Sequence, residues 1–220
     1  MCASFVTTAD AQFAKAPPTT VVAVNAGAAP ADIYEPGMRM PRRVLDRDTV
    51  RTALVKARAT NLAAFRAYQL KGTFPSNTFT SRKLNVWQDD AGNLCAAATI
   101  IKASGQDDLV ERIAGRNNFI RLADMKQGPL MDWILMSGFT QGEIASIQEP
   151  FMPVMRKPTE PAPSVLVDAR KRKAEDARLR AVYKKVDAQI VKHAAKSLDL
   201  ATDRLMNNQQ LAWQLVDAQA

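Results

Sequence analysis

Histidine occurs once in the 220 residues, at His193, and cysteine twice, at Cys2 and Cys95. A zinc site or a disulfide framework needs several such residues at short spacing, so neither is expected. Glycine is scarce too, nine residues in all, which leaves little backbone for a phosphate-cradling loop, and neither that motif nor a nucleophile elbow occurs. Asp89-Asp90-Ala91-Gly92-Asn93 has the flavour of a calcium loop but puts Ala91 at a ligand position and Leu94 at the glycine position, so it reads as a turn. No apolar run approaches the roughly 18 residues of a membrane span. These absences predict no metal, no cofactor and no catalytic residue, and they lean against an enzyme.

What the chain has is helical periodicity and positive charge. Leu179, Val182, Val186, Ile190, Ala194, Leu198, Ala201, Leu205, Ala212 and Leu215 recur at steps of three and four, with Asn208 as a polar gap. That is the period of one helix face, and it predicts a long amphipathic helix over 168–218. The net charge of +8 is concentrated: 47–71 carries +5 and 168–196 carries +6, whereas 72–150 is acidic at −2. A basic face attracts nucleic acid, anionic lipid or an acidic protein.

Four segments are expected. Residues 1–46 form an Ala-, Pro- and Thr-rich arm in which prolines forbid a long helix. Ala9-Asp10-Ala11 before Gln12 has the look of a cleavage site, which places the front of an export signal upstream of Met1. The compartment is accordingly unknown: cytoplasmic as the sequence is written, periplasmic or exported with an earlier start. Residues 47–150 read as a compact helical domain, 151–167 as a proline-rich spacer, and 168–218 as the long helix. The fold class is mainly α, with at most one short strand or hairpin.

Inside 47–150, a helix runs from Asp48 or Thr49 to a left-handed stop at Gly72. Leu84-Asn85-Val86-Trp87 alternates as a short strand would. Leu94 to Ile101 fits a returning strand or a helix, and Ala96 to Ala98 decide for helix by propensity. Pro129 opens another helix, and Thr140-Gln141-Gly142-Glu143 is a capping box.

Three stretches invite a functional reading. Cys95 stands in the first turn of a helix, where a thiol can be activated, but three following alanines favour burial; an enzyme centred on Cys95 ranks third. His193, between Gln189 and Ser197, has no local carboxylate and reads as a stripe-edge residue. Gly138-Phe139-Thr140-Gln141-Gly142-Glu143-Ile144-Ala145 resembles the first half of the helix-turn-helix of phage-repressor-type domains, yet the recognition half is missing and the region is acidic.

Asp90, Gly92, Cys95-Ala96, Ser104-Gly105, Asn117-Asn118, Trp133, Gly138, Thr140 and Ile147-Gln148 together resemble a bacterial protein family of unknown function, over about residues 60–150. The resemblance implies one unit there, a tendency to export, and no particular activity.

The leading expectation is a non-enzymatic interaction or assembly protein. Leu179, Val182, Val186, Ile190, Leu198 and Leu205 would bury themselves against a second copy of the chain or another protein. The alternative is nucleic-acid binding through the faces of 47–71 and 170–196, with Arg170, Lys171, Arg172, Lys173, Arg178, Arg180, Lys184 and Lys185 as contacts.

Overall fold

A computed structural model describes residues 45–156 and 166–219. The readings for the N-terminal arm and the upstream signal lie outside these residues. Among the described residues the fold is mainly α: α1 Arg47–Lys71, α2 Ala96–Ala103, α3 Asp107–Arg116, a 3-10 turn at Leu122–Asp124, α4 Pro129–Met136, α5 Gln141–Ile147, α6 Ala169–Lys192, α7 Ala194–Met206 and α8 Gln209–Asp217.

The central element is α1. Its cap is one turn earlier than predicted, because Asp46 accepts the Thr49 amide at 2.7 Å and the Thr49 hydroxyl at 2.7 Å. Its stop is Gly72, at φ 64°. The helix buries apolar residues along its whole length and so serves two cores. Val50, Ala53 and Leu54 pack with Leu198, Ala201, Leu205, Leu211 and Leu215 of α7 and α8. Phe65 and Tyr68 pack with Trp87, Ile100, Ile101, Leu179, Tyr183 and Ile190.

The long C-terminal helix is present as the 24-residue α6, but the pattern is not one rod. It breaks at His193, which ends α6 and precedes α7, and again at Asn207-Asn208, where Asn208 caps α8 through Leu211. The breaks let the stripe follow α1 in the antiparallel sense. Arg47 meets Asp203, Arg51 meets Asp199, Arg58 meets the Ile190 carbonyl, Arg66 meets Asp187, and Arg180 meets the Gly72 carbonyl. Positions climb on one helix as they fall on the other.

The spacer does not hold the helix away from the rest. Met155–Arg156 pairs antiparallel with Leu166–Val167, a two-stranded hairpin (β1, β2) that brings the spacer's two ends together. All the described residues therefore fall in one unit, rather than a 47–150 domain with a detached helix. The strand predicted at Leu84–Trp87 is replaced by single bridges, Leu84 to Phe151 and Gln88 to Leu94. Its backbone is satisfied otherwise: the Trp87 N–H donates to the Asn118 carbonyl and the Trp87 carbonyl accepts from the Cys95 N–H, while the Asn118 side-chain amide holds both the N–H and the C=O of the next residue, Gln88.

Candidate nucleic-acid interface

The apolar stripe is the first site to place. Leu179, Ile190, Leu198 and Leu205 are buried, and Val182 and Val186 are half-buried. Leu179, Val186 and Ile190 pack with the α1–α2 core, and Leu198 and Leu205 with the first half of α1. This face is covered by its own chain, so pairing with a second copy through it would mean dismantling the core. The physical reason is length: α1 spans about 37 Å at 1.5 Å per residue, enough to lie beside the chain from Arg180 on α6 to Asp203 on α7 once the stripe is broken into pieces.

The basic residues separate into two groups. On α1, Arg47 and Arg51 are neutralised by Asp199 and Asp203, and Arg66 by Asp187. Arg58 is buried against Glu143 at 2.6 Å. The surplus of 47–71 is thus largely spent inside the molecule, leaving Lys56 and Lys71 outside any ion pair among the described residues.

Of the eight cations predicted on the C-terminal segment, four are occupied. Lys171 donates to the Met155 carbonyl. Arg172 pairs with Asp176 and donates to the Pro75 carbonyl. Arg178 bridges Glu175 and Glu149 at 2.7 and 2.6 Å and reaches the Pro150 carbonyl; Glu175 raises its pKa against the cost of burial, with help from Glu149. Arg180 lies over the Phe74 ring. The other four, Arg170, Lys173, Lys184 and Lys185, are exposed and pair with no carboxylate among the described residues, as are Lys192 and Lys196, which sequence reasoning left off its contact set. Exposed Ala174, Ala177, Ala181 and Ala188 lie among these cations, on the side of α6 away from Leu179, Tyr183 and Ile190. Short side chains there let the helix axis approach a surface that long cationic side chains then reach.

The residues that suggested a half helix-turn-helix are a joint. Gly138, at φ 77°, passes so close to α1 that a Cβ would lie 2.4 Å from the Leu54 carbonyl oxygen. Thr140 and Glu143 form the capping box. The Gln141 amide gathers the carbonyls of Leu122, Ala123 and Met125. Others of the residues that carried the resemblance are also scaffold. Ser104 Oγ accepts from the Trp133 indole at 2.8 Å, Asn118 holds Gln88, and Gln148 pairs with the backbone of Leu122 and Ile120. Asp89 accepts from Ser76, Ala91 and Asn93, so its oxygens are committed to the turn.

Catalytic chemistry finds little support in the geometry. Cys95 is fully buried and its Sγ accepts from the Ala98 amide at 3.4 Å; burial pushes the thiol up to about 12. Iodoacetamide at neutral pH should therefore leave Cys95 unmodified until denaturant unfolds the chain, and mass spectrometry showing rapid alkylation of the folded protein would contradict the burial. Burial holds the Tyr68 and Tyr183 phenols well above their ordinary range, with the neighbouring Cys95 adding to it, and neither phenol oxygen has a hydrogen-bond partner among the described residues.

One constellation was illegible beforehand. His193, Ser197 and Glu143 line a cleft of about 350 Å³ between α5 and α6. Glu143 is held by both Arg58 nitrogens and the Thr140 amide, and no hydrogen bond joins the exposed His193 ring to Ser197 among the described residues, so His193 is not poised on the Ser197 hydroxyl. Among the described residues no three His, Cys, Asp or Glu side chains gather as a metal site, and no helix is long and apolar enough to cross a membrane. No family model, curated protein or solved structure matches the chain.

Proposed function

We propose that this chain is a non-enzymatic binding protein whose partner is nucleic acid, gripped through its phosphates by the outer face of α6 and the start of α7. The observation that carries the reading is the set of exposed cations Arg170, Lys173, Lys184, Lys185, Lys192 and Lys196, none of them paired to a carboxylate among the described residues. What favours it over association with a second copy or another protein is that the apolar stripe already has a cover, whereas this charge has none. Contacts of this kind are sequence-tolerant, because phosphates position a protein and base edges specify it.

Binding to a short DNA duplex should weaken steeply with salt, each phosphate-bound cation adding about 0.9 to the slope of log affinity against log salt. Replacing Lys173, Lys184, Lys185 and Lys192 by Gln should flatten the slope by about 2 to 4 and weaken low-salt binding about tenfold or more. The thermal midpoint should not move, since these side chains are exposed and form no ion pair among the described residues. Arg47→Gln with Arg51→Gln should leave the slope unchanged, because those guanidiniums already face Asp199 and Asp203. A parent protein that fails to shift the duplex at low salt, or a fourfold variant with the parent's slope, would sink the proposal.

A further inference from the structure

Between the C-terminal half of α1 and α2 runs a trench of about 400 Å³ that the basic face of α6 does not include. Its walls are small residues at helical spacing, Ala64 and Ala67 on α1 and Ala103 on α2, and the loop before α2 closes one side with Gly92 and Leu94. The hollow exists because these positions carry so little side chain. Tyr68 forms part of the lining, and its hydroxyl, in a side chain 4% exposed, has no hydrogen-bond partner.

Beside the neutral Thr73, Asn93 and Thr99, the charged groups in the lining are of one sign. Lys71, the last residue of α1, and Lys102, near the end of α2, both line the trench. Lys102 is shared with Asp107 at 3.3 Å across half-exposed side chains, whereas Lys71 pairs with no carboxylate among the described residues. The rim therefore holds close to one unit of uncompensated positive charge beside an apolar hollow within the usual size of small-ligand sites.

We infer that this trench binds a small amphiphile with one negative charge, a medium-chain carboxylate, its apolar body along Ala64, Ala67, Leu94 and the Tyr68 ring and its carboxylate between Lys71 and Lys102. The charge match selects the monoanion, since a second negative charge would meet only the part of Lys102 that Asp107 leaves.

The test is calorimetric titration of the full chain with octanoate, and with octanol as its uncharged counterpart. Two variants separate the contributions. Ala67→Leu puts a larger side chain into the hollow from a position that is solvent-exposed, in a residue that favours helix; it should weaken both probes about tenfold or more. Lys71→Gln with Lys102→Gln should weaken octanoate about tenfold and leave octanol within about twofold, because only the charged end loses its partner. Circular dichroism melts confirm that both variants fold. Octanoate that gives no saturable heat, Ala67→Leu that binds as the parent does, or a double lysine variant with unchanged octanoate affinity would each overturn the assignment.

Discussion

Gly138→Ala should lower the stability of the protein by about 3–5 kcal/mol, the largest effect expected of any glycine-to-alanine change among the described residues. Two costs coincide there. The backbone is left-handed, with φ 77°, and the added Cβ would stand 2.4 Å from the Leu54 carbonyl oxygen and 2.7 Å from both Cβ and N of Arg58. Those atoms are α1 backbone and the root of a buried side chain, so nothing nearby can swing aside. Either α4 and α5 lift off α1 or the helix bends.

Two other glycines calibrate the measurement. Gly105, at φ 82° with nothing within 4 Å of a built Cβ, should cost only the backbone strain, about 1 kcal/mol on replacement by Ala. Gly115 lies inside α3 with open space around it, and Gly115→Ala should stabilise by about 0.5–1 kcal/mol through helix propensity alone. Urea unfolding of the three variants should therefore give a large loss, a small loss and a gain. If Gly138→Ala lost no more than Gly105→Ala, the close approach to α1 would be wrong.

The second large effect belongs to Arg58, whose guanidinium joins three parts of the chain. It donates to both Glu143 carboxylate oxygens, at 2.6 and 3.0 Å, to the Gly138 carbonyl at 2.8 Å and to the Ile190 carbonyl at 2.9 Å, and it lies over the Phe139 ring. Arg58→Met keeps the apolar stem and removes the fork. It should cost about 3–5 kcal/mol, mainly because Glu143 is left charged in a site that exposes 13% of its side chain. Arg58→Lys should not rescue it, since one ammonium cannot replace two parallel N–H donors. Adding Glu143→Gln to Arg58→Met should restore part of the loss, as glutamine still completes the capping box with Thr140 without a buried charge. An additive double variant would count against the pair.

The pH dependence follows from the same contact. Burial pushes the Glu143 carboxyl up, but the Arg58 fork and the Thr140 amide outweigh it, and the group titrates below its ordinary 4.5. A folded pKa below the unfolded one means that this stability is fully present above about pH 4.5 and is lost as pH falls through the folded value. In Arg58→Met the guanidinium's share is gone and burial is opposed only by the Thr140 amide and the Ser197 hydroxyl, so protonation relieves the variant. The stability gap between parent and variant should narrow as pH drops below 4.5, and a gap that widened would reverse the assigned sign.

Much of the local structure was legible because its causes are local. The α2 helix rests on alanine propensity against a rival strand pairing, and Cys95 caps it. Gly72 ends α1, Pro129 opens α4, and Thr140 with Glu143 caps α5, each through groups within four residues. Leu84–Trp87 failed as a strand for the complementary reason. Alternation describes a strand only if a neighbour supplies a ladder, and here isolated backbone partners, Phe151, Asn118 and Cys95, take the backbone groups instead. Asp46 was missed as a cap because Asp48 and Thr49 are equally good capping types, and only the chain's path into α1 selects among them.

The sequence by itself determined that the C-terminal quarter is helical, that one side of it is oily and the other basic, and that Asn208 leaves a polar gap in the oily side. Period and charge are properties of a helix taken alone. Tertiary structure decided what each side does. The oily side found α1, whose arginines face Asp187 of α6 and Asp199 and Asp203 of α7 in antiparallel order, and a break at His193 allowed both helices to run along it. A stripe reports that something must cover it, not what; the cover lay more than a hundred residues earlier in the same chain, and what it left exposed was the charge.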